Sequence, residues 1–122
     1  MTVALIIDND DKNIEFLATC LELFHIKSIS AATGQDGFEM ARNYQPDAIL
    51  TDLIMPDETW DGYKTIAELK SHPDTQHIKT IAITAIGDVN YACKLGCDDY
   101  LFKPFRLDAL QKKLAQLMPT AV

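Results

Sequence analysis

Six side chains able to do chemistry stand directly after or at the end of apolar, β-rich runs. Asp8, Asn9 and Asp10 follow VALII at Val3–Ile7, Asp52 follows AILT at Ala48–Thr51, Thr84 ends the run TIAIT, and Lys103 follows YLF at Tyr100–Phe102. A carboxylate at the end of a buried strand is expensive to desolvate bare, so it must meet water, a cation or hydrogen-bond donors there. If Asp8 and Asp52 approach to about 4 Å, they repel by roughly 4 kcal/mol at an effective dielectric of about 20. A divalent cation removes that penalty, and carboxylates, an amide, a backbone carbonyl and waters form the all-oxygen set that suits Mg²⁺. The Thr84 hydroxyl and the Lys103 ammonium are groups that would hold phosphoryl oxygens. Together these residue types describe a phosphoryl-transfer site whose nucleophile is a protein carboxylate.

That chemistry requires the runs to be neighbouring strands. Between them the apolar pattern changes to a helical period: Ile14, Leu17, Ala18, Leu21 and Phe24 after an Asp10 or Asp11 cap, then a helix from Thr33 to about Tyr44 that QPD stops. DGYKTIAELKS is a short amphipathic helix, Asp88–Leu95 makes about two turns before Gly96, and Leu107, Leu110, Leu114 and Leu117 stripe a last helix with Gln111, Lys112, Lys113 and Gln116 outward. With Lys27–Ala31 as a second strand, strands at Thr80–Thr84 and Tyr100–Phe102 complete five, alternating with five helices. Such alternation implies right-handed βαβ units and a parallel sheet covered on both faces. Ligand sites in these folds lie outside the carboxyl ends of the strands, where all six residues fall.

Length and composition bound the rest. The 122 residues, 48% hydrophobic and 24% charged, suit one ordinary globular domain over residues 1–122. Eleven basic against 18 acidic residues give a net charge of −7, which repels nucleic acid and anionic lipid. MTVALIID lacks the basic flank of a signal peptide and no 18-residue apolar run occurs, so a cytoplasmic location is expected. Cys20, Cys93 and Cys97 form no paired framework and fit a reducing compartment; the i, i+4 pair Cys93 and Cys97 reads as small core residues rather than metal ligands. His25, His72 and His77 read as solvated surface residues, and Asp98–Asp99 as turn and cap chemistry.

The pieces LIIDND with Asn13 following, PDAILTDLIMP, the DG at Asp61–Gly62, IAITA and GCDDYLFKPF, in that order and at compatible separations, closely resemble a response-regulator receiver domain over essentially the whole chain. The resemblance implies a flavodoxin-like α/β fold, doubly wound, with strand order 2-1-3-4-5. It makes Asp52 the phosphoacceptor in a two-component phosphorelay, served by a histidine kinase or a histidine phosphotransfer protein, with Mg²⁺ as cofactor. It places the metal at Asp8, Asn9, Asp52 and the backbone carbonyl of Ile54, with Asp10 able to help through water. It assigns Thr84 and Lys103 to the phosphoryl group rather than to holding the fold, pairs Tyr100 with Thr84 as a switch, and implies a cis Lys103–Pro104 bond, which costs X–Pro only about 0.5–1 kcal/mol. A receiver is a signalling module and not an enzyme.

This chain departs from the family's pattern in three places. Asn9 stands where a second adjacent acid is usual, so metal affinity should fall. The DETW stretch lengthens the loop after Pro56, and Trp60 is read as a plug against the third helix rather than a lid. The interval from Thr84 to Lys103 is short, which trims the fourth helix. The positions two beyond Asp52 and two beyond Thr84, Ile54 and Ile86, are apolar and should shield a phosphoryl group from water. Two rival readings follow from the same residues: a pseudo-receiver that binds protein without phosphorylation, favoured by Asn9, and a haloacid-dehalogenase-type phosphatase using Asp8, disfavoured because it leaves Asp52 idle.

Overall fold

The computed structural model describes residues 2–56 and 59–118. The chain runs β1 (Val3–Ile7), α1 (Asp11–Leu23), β2 (Lys27–Ala31), α2 (Gly34–Tyr44), β3 (Ala48–Thr51), α3 (Gly62–Ser71), β4 (Lys79–Thr84), α4 (Val89–Lys94), β5 (Asp99–Phe102) and α5 (Leu107–Leu117). All neighbouring strands are parallel and the sheet order is β2-β1-β3-β4-β5, the doubly wound, flavodoxin-like arrangement expected. β4 and β5 each begin one residue earlier than expected, because Ala48 pairs with Lys79 and Ile81 with Asp99.

Strand alternation divides the core. Ala4 and Ile6 of β1 point to one face with Leu50, Ile81 and Ile83, where Leu17 and Leu21 of α1 and Leu110 and Leu114 of α5 cover them. Leu5, Ile7 and Ile49 point to the other, under Phe38 and Ala41 of α2 and Leu69 of α3, and a third cluster joins Leu53, Ile66, Ala82, Val89 and Ala92 beneath α3 and α4. Each fully buried Leu or Ile contributes about 1.5–3 kcal/mol relative to exposure, which fixes both faces against slippage.

Side-chain caps set the helix starts. Asp10, not Asp11, caps α1 by accepting from Lys12 N at 2.9 Å; Thr33, Asp61 and Asp88 cap α2, α3 and α4 in the same way. α4 is a six-residue helix, as trimmed as expected, and Gly96 at φ +115° follows it in the left-handed region. Two expectations for α5 fail. Leu107 is 42% exposed, since as the first residue of the helix it stands outside the cluster that Leu110 and Leu114 join. Lys113 does not point away, because Asp99 on β5 draws its Nζ to 2.8 Å.

Candidate functional site

The parallel register delivers the chemistry to one edge. Ile7 pairs with Thr51, so Asp8 and Asp52 leave the sheet side by side, and the ladder runs on one step as Asp52 N donates to the Ile7 carbonyl at 3.1 Å. Thr84 pairs with Phe102, and Lys103 N donates to the Thr84 carbonyl at 2.9 Å, which lifts the lysine beside the carboxylates. The Lys103–Pro104 bond is cis, as expected.

Asp8, Asp52 and Lys103 do converge. The Lys103 Nζ lies 3.2 Å from Asp52 Oδ2 and 3.5 Å from Asp8 Oδ2. The other oxygen of each carboxylate faces backbone donors: Asp8 Oδ1 accepts from Asp10 N at 2.9 Å, and Asp52 Oδ1 from Leu53 N at 2.7 Å and Ile54 N at 3.2 Å. Asp8 is almost fully buried. That burial raises its carboxyl above the ordinary 3.8, outweighing the hydrogen bond from Asp10 and the pull of Lys103, while the charge on Asp52 adds to the rise. Two carboxylates and one ammonium leave the cluster one negative charge in excess.

The remaining expected residues are placed less directly. Asn9 and Asp10 are exposed at the rim, and Asp10 is committed through Oδ1 to capping α1. Ile54, whose N–H reaches Asp52 Oδ1, is 39% exposed, and Ile86, in the loop after β4, is 72% exposed. The Thr84 hydroxyl donates to the Ile86 carbonyl in the loop after β4. Tyr100 is turned outward, its ring 5.7 Å from that of Phe102 and under the Lys113 ammonium at 5.2 Å. In this state Lys103 is paired with both Asp8 and Asp52.

The donor chemistry fits a hard divalent cation. Asp8 and Asp52 retain unused lone pairs, the cluster carries excess negative charge, and burial makes the Asp8 charge unfavourable until a cation meets it. No group of three or more His, Cys, Asp and Glu is gathered among the described residues.

Around the site, several residues singled out in the sequence take contacts that their spacing alone does not specify. Trp60 does plug the core, with Lys64 of α3 over its ring and Phe38 of α2 against it at 5.8 Å between centroids. Asp57 and Glu58 of the DETW loop lie outside the described residues. The DG pair proves geometric: Asp61 caps α3, and a Cβ on Gly62 would fall 1.9 Å from the Asp52 carbonyl oxygen, so only glycine lets α3 start against the acceptor's backbone. Asp98 is an ion-pair partner rather than a simple cap, accepting from Lys70 Nζ and Thr80 N at 2.8 Å each. Cys20 and Cys97 are buried but Cys93 is exposed, and Cys97 is pushed up to about 11 by burial. His25 and His77 are exposed; His72 instead packs edge-on to Phe38 at 5.3 Å.

The model of the response regulator receiver domain matches residues 4–115, and the chain belongs to that family, a family of two-component signalling. It is similar to response regulator PleD of Caulobacter vibrioides, 33% identical over 103 residues that cover 82% of this chain and 22% of PleD. Among solved structures, it superposes with a TM-score of 0.88 on the receiver domain of a sensor histidine kinase from Pseudomonas aeruginosa PAO1, crystallised with a magnesium ion coordinated in its active-site cleft (26% identity, 98% of each chain). The signal receiver domain of a histidine kinase from Syntrophus aciditrophicus matches with a TM-score of 0.87 (26% identity, 98% of this chain and 91% of that one). The chain spans between 25% and 47% of the length of the first four curated relatives it matches. No helix among the described residues is long and apolar enough to cross a membrane.

Proposed function

We propose that the chain, as one domain, accepts a phosphoryl group on Asp52 from a phosphohistidine of a histidine kinase or phosphotransfer protein, and thereby changes the surface it presents to a downstream protein. The observation that carries this reading is the convergence of Asp8, Asp52 and Lys103, with one ammonium within 3.5 Å of both carboxylates at the carboxyl edge of the sheet. A carboxylate oxygen of Asp52 attacks phosphorus, the P–N bond breaks with its electron pair passing to the imidazole nitrogen, and an acyl phosphate remains. Asp8, Asn9, Asp52 and the Ile54 carbonyl would hold Mg²⁺, with Asp10 assisting through water. When bound, Mg²⁺ neutralises charge on the phosphoryl oxygens.

The chain's own groups complete the cycle. Lys103 moves from sharing two carboxylates to meeting the phosphoryl oxygens, and the Thr84 hydroxyl leaves the Ile86 carbonyl to do the same. That frees the loop after β4 and opens space for the Tyr100 ring, so the added charge of roughly −1.5 to −2 is read on the β5 face. Incubation with acetyl phosphate and Mg²⁺, followed on a phosphate-affinity gel, tests the reading. A retarded band that forms in wild type and not in Asp52→Asn supports it. No retarded band in wild type would instead support a pseudo-receiver that works without phosphorylation, and a band that survives Asp52→Asn but not Asp8→Asn would support the phosphatase-like use of Asp8.

A further inference from the structure

We propose that Trp60 is a positioning residue for the phosphoacceptor site, an inference that rests on the Mg²⁺-dependent reading above. The segment after Asp52 is pinned on alternate sides. Leu53 is buried in the cluster beneath α3 and α4, Met55 in the cluster beneath α2, and Ile54 is held between them with its N–H 3.2 Å from Asp52 Oδ1. The Ile54 carbonyl assigned to the metal is therefore only as fixed as Leu53 and Met55.

The far end of the same loop returns to the Met55 cluster through the Trp60 indole. The indole meets the Phe38 ring at 5.8 Å, the Lys64 ammonium covers it at 5.4 Å, and α2 presents a glycine there. A Cβ on Gly34 would lie 2.9 Å from Trp60 Cβ and 3.0 Å from its carbonyl oxygen. The next two residues lead straight back to the acceptor. Asp61 caps α3, and Gly62 N donates to the Leu53 carbonyl at 3.0 Å while its α-carbon abuts the Asp52 carbonyl. Trp60 and Met55 thus bring the two sides of this stretch into one cluster, which Phe38 and Ala41 of α2 and Leu69 of α3 share. An indole serving only as core filling would affect stability alone; this one, carried on the loop itself, should also set the position of the Ile54 amide and carbonyl.

The test uses the full chain as wild type, Trp60→Ala, Trp60→Phe and Ile78→Ala. Ile78 belongs to the same cluster but precedes β4, at the end of the sheet away from the site. Two readouts are independent of phosphorylation: hydrogen exchange of the Ile54 amide in metal-free protein, and Mg²⁺ affinity by calorimetry. Trp60→Ala is expected to speed Ile54 exchange and to weaken Mg²⁺ binding roughly tenfold, the low end for losing support around a metal site. Trp60→Phe should restore both to within about twofold, and Ile78→Ala should lower thermal stability while changing neither. Unchanged values in Trp60→Ala, or an equal effect of Ile78→Ala, would overturn the proposal, as would a wild type that binds no Mg²⁺. A wild type that binds Mg²⁺ but takes no phosphoryl group would refute the proposed function alone, and these two readouts would still decide the role of Trp60.

Discussion

Replacing Asp8 by asparagine should make the metal-free protein more stable at neutral pH, although it removes one of the three charged members of an ion-paired cluster. The Lys103 Nζ is 3.5 Å from Asp8 Oδ2 and 3.2 Å from Asp52 Oδ2, so the two oxygens are no more than about 6.7 Å apart, the sum of those reaches. At an effective dielectric of about 20, Asp8 then gains roughly 5 kcal/mol from Lys103 and loses at least about 2.5 kcal/mol to Asp52. Together with a charge-assisted hydrogen bond from Asp10 N worth about 1.5–3 kcal/mol, these favour the charge by at most about 4–5.5 kcal/mol, and the desolvation that raises the Asp8 carboxyl outweighs them. Asparagine keeps an acceptor for Asp10 N and carries no charge, so a higher Tm than wild type is expected at pH 7 in EDTA.

The pH dependence gives the sharper check. Because the folded carboxyl is raised, the native state holds the Asp8 proton more tightly than the unfolded chain, and ionisation costs stability as pH rises from the ordinary 3.8 through the folded value. The advantage of Asp8→Asn is therefore full above that window and disappears toward its acid end. Urea unfolding of both proteins at pH 7 and pH 4, followed by the fluorescence of the single tryptophan, Trp60, measures it. A variant less stable than wild type at pH 7, or a gain that does not shrink on acidification, would refute the reasoning.

The remaining predictions concern the same cluster. Asn9→Asp restores a negative charge at the exposed rim and should tighten Mg²⁺ binding severalfold by calorimetry; unchanged or weaker affinity counts against Asn9 as a ligand. Lys103→Ala leaves two carboxylates facing each other and should destabilise the metal-free protein by about 3 kcal/mol in urea unfolding, with Mg²⁺ recovering part of the loss. Ile86→Glu and Ile54→Asn put groups able to orient or deprotonate water at the two exposed apolar positions two beyond Thr84 and two beyond Asp52. Each should shorten the lifetime of phosphorylated protein in excess Mg²⁺, and a wild type that decays as fast as both would show that shielding does not set the lifetime.

What can be read from sequence divides along physical lines. The strands are legible because β-branched runs ending in Asp8, Asp52 and Thr84 alternate with 3.6-period stripes, and parallel pairing with tight crossovers then leaves one place for their carboxyl ends to meet. Strand starts are less visible, since Lys79 and Asp99 are polar residues that enter the sheet through backbone pairing alone. Long side chains that reach across elements are not legible. Periodicity sends Lys113 to solvent, yet Asp99 lies within reach of its flexible stem; Asp98 looks like a turn residue, yet Lys70 crosses from α3 to meet it. Trp60 is recognisable as a plug, but its partner on α2 depends on Gly34 leaving room, a property of two helices in contact rather than of either stretch of sequence.

Whether Asp52 itself carries the phosphoryl group can be read directly. Borohydride reduces an aspartyl phosphate to homoserine, so protein incubated with phosphoramidate and Mg²⁺, then reduced, digested and sequenced by mass spectrometry, reports which carboxylate was modified. Homoserine is expected at position 52 and nowhere else, only when phosphoramidate and Mg²⁺ are both present. Homoserine at position 8 or 10, or none at all under conditions where the protein is folded and binds Mg²⁺, would contradict the assignment of Asp52 as phosphoacceptor.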